Sequence, residues 1–238
     1  MKKRITIMLL IAASAAMYLR AGDNESNHVE VLLVDSTRVE GYWSTDFKTG
    51  MKRLFSKTGS INQYIRIKDG PKDGEAKTYK ASDVLEYRFI EESEDFPKGT
   101  VYVSENINVP GMFKPNRYIR GFALVLNRND VGTILKWSVF EQTGGKNSVS
   151  RLVPAIGVKL KGARAAYGFM VNGRYYPFYL MNYLKKAAPE FKTMLEEYFD
   201  KGPDSKAHRE ELKDNPSIML SLYADYLKTH DPINDSVE

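Results

Sequence analysis

From residue 29 to about residue 180 the chain alternates apolar and polar positions in short runs, and beyond that the spacing changes to three and four. Period two marks a half-buried strand, whereas recurrence at i, i+3, i+4 and i+7 marks a helix with one buried stripe. Val29 to Val34 and Arg38 to Ser44 read as a strand pair joined through Asp35-Ser36-Thr37. Gly41 within the second strand signals a bulge or a close backbone approach. Asp46 to Gly50 reads as a turn, and Ile61, Ile65 and Ile67 share a strand face opposite Tyr64 and Arg66. After a loop from Gly70 to Gly74, Leu85, Tyr87 and Phe89 alternate with Glu86 and Arg88.

The acidic, proline-bearing stretch Glu91 to Gly99 (EESEDFPKG) separates these strands from a second set. That set begins at Val101 to Ser104, passes a Pro- and Gly-bearing loop from Asn106 to Asn116, and continues with the strongly apolar Tyr118 to Leu126. Asn127 to Asp130 predicts a turn, and Leu135, Trp137 and Val139 form one face of the strand that follows. Ile156, Val158 and Leu160 then alternate with Gly157, Lys159 and Lys161, and Tyr167, Phe169 and Val171 with Gly168 and Met170. Asn172-Gly173 between two aromatic runs predicts a hairpin of Ala165–Val171 with Arg174–Tyr179, because a type I′ turn needs positive φ at both central residues. Pro177 cannot donate to a ladder, so it belongs at an unpaired edge or a bulge.

Two helical stripes follow, Leu180, Tyr183, Leu184, Ala187 and Phe191, Met194, Leu195, Tyr198, with Pro189 breaking the chain between them. Gly202-Pro203 is a stop, Ser205 to Lys213 is a charged helix, and Asn215 with Pro216 opens a last helix with the stripe Met219, Leu222, Tyr223, Tyr226. The predicted class is α+β: an antiparallel β-rich N-terminal and central part, barrel or meander, followed by three to four C-terminal helices. The divisions are a leader at 1–21, a small β unit at 22–95, a β-meander at 96–180, helices at 181–232 and a frayed tail at 233–238.

The first residues alter where such a fold would work. Lys2, Lys3 and Arg4 precede an apolar run from Ile5 to Ala16, which ends among small residues, with Ala15 or Ala21 as the cleavage point. Basic head, apolar core and small-residue exit are the parts of a secretory signal peptide, and the run falls short of the roughly 20 residues a membrane span needs. Export to the periplasm or the extracellular medium follows, with no transmembrane segment after signal removal. The chain has no Cys, which rules out a lipid anchor on that residue, a disulfide and a thiolate nucleophile. Taking Lys2, Lys3, Arg4 and Arg20 from the 35 basic residues leaves 31 against 30 acidic, a near-neutral body that argues against nucleic acid as a partner.

Candidate chemistry is sparse. The histidines are His28, His208 and His230; His208 and Glu211 are spaced to share a helix face, without an HExxH pattern. Glu91, Glu92, Glu94 and Asp95 cluster without the Asp/Asn alternation and central Gly of an EF-hand loop. Gly144-Gly145-Lys146 lacks the flanks of a phosphate loop, and no G-x-S-x-G elbow occurs. No cofactor or metal is expected, and no catalytic residue is assigned.

Aromatic residues supply the one positive signal. Tyr175, Tyr176, Phe178 and Tyr179 crowd the strand after the hairpin, and Trp43 and Trp137 are the only tryptophans. Alternation would turn Tyr176 and Phe178 to the core and leave Tyr175 and Tyr179 as surface rings. Tyr175, Tyr179, Trp43 and Trp137 are therefore the candidate binding residues.

The segments VLLVDSTRVEGYW, YKASDVLEYRF, LEEYFDKGPD and MLSLYADYLK, in that order behind a signal peptide, resemble a group of exported Bacteroidetes proteins of unassigned function. The resemblance is one of layout across most of the chain after the leader. It implies a Gram-negative envelope or secreted location and transfers no catalytic residue. The function expected is a non-enzymatic envelope protein that binds a protein or a glycan. The alternative is an envelope or secreted hydrolase with a carboxylate or metal site that spacing does not single out.

Overall fold

A computed structural model describes residues 27–44, 61–70, 75–93, 96–109, 117–143 and 149–235. Several sequence features lie outside the described residues: the leader, the turn at 46–50, most of the loop at 70–74, Glu94, Asp95, the loop at 110–116, Gly144-Gly145-Lys146 and the last three residues. Eleven strands precede four helices among the described residues, the α+β order the periodicity predicts. The chain divides into two compact units, the first ending at Tyr102 and the second beginning at Val103.

The first unit contains β1 (His28–Leu33), β2 (Arg38–Trp43), β3 (Tyr64–Lys68), β4 (Lys77–Lys80) and β5 (Val84–Phe89). Their lateral order is β5-β1-β2-β3-β4, with antiparallel neighbours. Val29, Val31, Ile65, Ile67, Tyr79, Val84, Tyr87 and Phe89 form the buried face. Gly41 is a close approach, since a Cβ there would lie 2.5 Å from the Lys68 carbonyl oxygen.

Only Ala81, Ser82 and Asp83 connect β4 to β5, the two outermost strands of that order. Four Cα steps reach at most about 14 Å. A flat sheet would hold its outer strands about 19 Å apart, four spacings of roughly 4.8 Å. The sheet is therefore rolled, and the connection extends the ladder at each of its ends: Ala81 N–H donates to Gln63 O (2.8 Å), just before β3, and Val34 N–H to Asp83 O (3.1 Å), just after β1. Among the described residues no β4–β5 ladder closes it.

Phe96 to Gly99, the end of the acidic stretch, fold back on this unit. Gly99 N–H donates to Phe89 O at 2.8 Å, and the Phe96 ring stacks on Phe89 at 4.2 Å. Two outward leucines depart from simple alternation. The β1–β5 register slips between Leu32 and Leu33, so Leu85 is the extra residue of a bulge and faces solvent while Val84 takes the core position. Leu126 in the second unit sits at an equivalent slip and is likewise exposed.

The second unit orders β6 (Val101–Asn108, which starts in the first unit), β7 (Tyr118–Asn129), β8 (Gly132–Thr143), β9 (Val149–Leu160), β10 (Tyr167–Val171) and β11 (Arg174–Tyr175) as a meander. β7 runs past the predicted turn at Asn127, and the chain reverses at Asp130-Val131 instead, with Asn129 Oδ1 accepting from Val131 N–H (3.1 Å) and Gly132 N–H (3.2 Å). β8 and β9 pair without interruption from Gly132↔Leu160 to Thr143↔Val149. The Asn172-Gly173 turn has φ of 51° and 71°, the positive pair of a type I′ hairpin. Its second strand is shorter than expected and ends at Tyr175.

Helices α1 (Phe178–Ala187), α2 (Pro189–Glu196), α3 (Ser205–Asp214) and α4 (Ile218–Tyr226) cover one face of this meander. Pro189 is the first residue of α2, and Ala188 before it is pushed out of the helical region to φ −159°, ψ 75°. α2 runs into a π turn, Glu197–Lys201, closed by Gly202 N–H on Glu197 O at 2.8 Å. Leu180, Leu184, Phe191, Leu195, Phe199 and Tyr223 pack against Val158, Leu160, Tyr167 and Phe169. Of the tail expected to fray from residue 233, the described residues Ile233–Asp235 are held in place, with Ile233 buried in the core.

Candidate functional site

The segment after β11 builds the most exposed aromatic group among the described residues. Tyr176 N–H still donates to Phe169 O at 2.8 Å, but Pro177 has no N–H to extend the ladder. The chain turns there into α1, where Met181 N–H bonds Pro177 O at 2.8 Å. Strand alternation therefore stops at Tyr175, and the helical period takes over with Leu180 and Leu184 inward. Tyr176 and Phe178, expected in the core, are each 51% exposed.

Their rings lie 6.4 Å apart at 28°. Tyr179 meets Phe178 edge-on at 5.1 Å and Tyr176 at 6.4 Å. Tyr179 is half-buried, and burial raises its phenol pKa. The three rings form a ledge at the start of α1.

Of the residues chosen from the sequence, only Tyr179 belongs to this ledge. Tyr175 turns inward against Phe199, at 5.2 Å between ring centres. Its hydroxyl is enclosed without a hydrogen-bond partner, and burial pushes its pKa far above the ordinary value. Trp137 is 6% exposed, so it is a core residue and no surface platform. Its ring fills the space beside Gly157 and approaches Gly168. Trp43 is half-buried in the first unit, edge-on to Phe89 at 6.0 Å and to Phe96 at 5.3 Å. These four residues do not converge on one site. Pro177, a strand terminator immediately after Tyr176, is the signal that would have placed Tyr176 and Phe178 outside.

Each histidine lies against a tyrosine. His28 stacks on Tyr42 at 4.8 Å and approaches Glu91 at 3.4 Å. His208 stacks on Tyr198 at 3.7 Å and bonds its carbonyl at 2.9 Å, while His230 stacks on Tyr226 at 4.3 Å. Among the described residues no three His, Asp or Glu side chains are grouped to hold a metal ion.

A second polar group gathers around the segment after α4. The Arg164 guanidinium lies over the Tyr118 ring at 5.0 Å, and the Tyr118 and Tyr167 hydroxyls are 3.3 Å apart. Tyr167 stacks on Tyr183 at 4.1 Å. Tyr183 OH donates to Asp235 at 2.8 Å, and Arg164 N–H donates to the same carboxylate oxygen at 2.5 Å. Burial is the largest cause that raises the phenol pKa values of Tyr167 and Tyr183; for Tyr183 the bond to Asp235 adds to it.

No helix among the described residues is long and apolar enough to cross a membrane. Comparison with protein-family models, characterised proteins and solved structures gives no match to this chain.

Proposed function

We propose that this chain is a non-enzymatic exported protein that binds an envelope or secreted glycan through Tyr176, Phe178 and Tyr179. The observation that carries the reading is the half exposure of Tyr176 and Phe178 as neighbouring rings, 28° from parallel, at the entry to α1. An aromatic face presents negative quadrupole density, and the C–H face of a sugar ring is its complement. A protein hot spot would instead seat its anchors in an enclosed pocket. The basic head, apolar run and small-residue exit of the first 21 residues support export.

The test is affinity electrophoresis of the secreted form through gels that contain soluble glucans, mannans or peptidoglycan fragments. Retardation by at least one polymer is expected, and it should disappear in the Y176A/F178A double variant while that variant still melts cooperatively and is fully folded at the temperature of the assay. Retardation by none of them, or retention in the double variant, overturns the reading. Capture of a defined envelope protein by these same rings would replace the glycan with a protein partner. N-terminal sequencing of native material should begin after Ala15 or Ala21; an intact Met1 would remove the export claim.

A further inference from the structure

The segment after α4 is held as a bound peptide would be. Asp231, Pro232 and Asn234 are exposed, while Ile233 between them is buried. Ile233 N–H donates to Tyr223 OH at 3.1 Å, and that hydroxyl donates to Lys161 O at 3.0 Å. Two residues on, the Asp235 carboxylate accepts from Tyr183 OH and from the Arg164 backbone N–H. Gly162, at φ +85°, lets the Ile233 backbone pass so close that any Cβ there would collide with the Ile233 carbonyl. Apolar seat, main-chain bond and carboxylate bond are the elements by which extended peptides are recognised.

We infer that Gly162, Arg164, Tyr183 and Tyr223 form a peptide-binding site, occupied in cis by Ile233–Asp235, for an extended segment with an apolar side chain followed two residues later by a carboxylate. The chain's own segment acts as an internal competitor. An outside peptide binds only during the fraction of time the site is vacant, so its apparent affinity falls by that fraction. This site is independent of the aromatic ledge, and either can fail without the other.

The probe is a fluorescein-labelled peptide, Thr-His-Asp-Pro-Ile-Asn-Asp, matching residues 229–235. It is titrated by anisotropy against the full chain and against an I233S/D235N variant that loosens the internal segment. Binding to the variant should be tighter than to the wild type by roughly tenfold or more. It should be lost when the peptide carries Ser for its Ile or Asn for its Asp. A folded variant that binds no more tightly than wild type, or that does not distinguish the altered peptides, overturns the inference. If the variant fails to fold, hydrogen exchange on the wild type decides: millimolar peptide should speed exchange at the Ile233 amide, and unchanged exchange there refutes the site.

Discussion

Trp137 occupies the space in which Gly157 would carry a side chain. Gly157 pairs with Leu135 on one side and with Gly168 on the other, so two facing glycines leave a bare strip of sheet for the indole from the neighbouring strand. In G157A the methyl would meet the indole and also lie 2.5 Å from Tyr167 O. That overpacking should cost about 2 kcal/mol in urea denaturation. In G168A the methyl sits 3.6 Å from the ring, an ordinary contact, so stability should stay within about 0.5 kcal/mol. Equal effects of the two substitutions would contradict this packing.

The Asn172-Gly173 turn gives a second stability test. Asn172 holds φ 51°, a conformation that costs most L-residues about 1–2 kcal/mol and Asn less. N172A should lower stability by about 1 kcal/mol, and N172G should be near neutral. Thermal melts of the three proteins check the order.

Burial separates the tryptophan from the ledge. W137A removes a core ring and should cost about 3–5 kcal/mol. Y176A and F178A remove half-exposed rings and should each change stability by about 1 kcal/mol or less. Parallel denaturant curves distinguish the classes, and a large loss on F178A would mean that the ledge is core.

Alkaline titration reads the buried phenols. Burial raises the pKa values of Tyr167, Tyr175 and Tyr183 above the ordinary value of 10. The folded chain therefore keeps protons that the unfolded chain releases, so stability is intact below about pH 10 and declines as pH rises beyond it. Absorbance at 295 nm should show fewer ionised tyrosines at pH 11 in the native protein than in urea. Y183F should lower the urea signal at pH 11 more than the native signal, because burial and the bond to Asp235 raise the Tyr183 phenol pKa in the folded chain.

Where local chemistry decided the structure, it was legible beforehand. Asn172-Gly173, Pro189 and the paired runs at Val29–Val34 and Arg38–Ser44 each carry their own backbone constraint, and each forms as read. Misplacements arose where one residue reset the period. The bulges at Leu85 and Leu126 move a leucine to the surface, which no alternation count reveals. Pro177 ends β11 and exchanges the inner and outer roles of Tyr175 and Tyr176. Ile233 docks through a glycine and a tyrosine distant in sequence, so a polar tail gave no sign of its seat.

Three residues, Ala81–Asp83, tie β4, which ends the strand order, to β5 at the other end of the five strands. Exposed sheet rims invite foreign strands and fibre growth. Here the short tether that curls the sheet also holds one such rim, β4, close to the strand at the other end of the five-strand order, a brace that needs no disulfide.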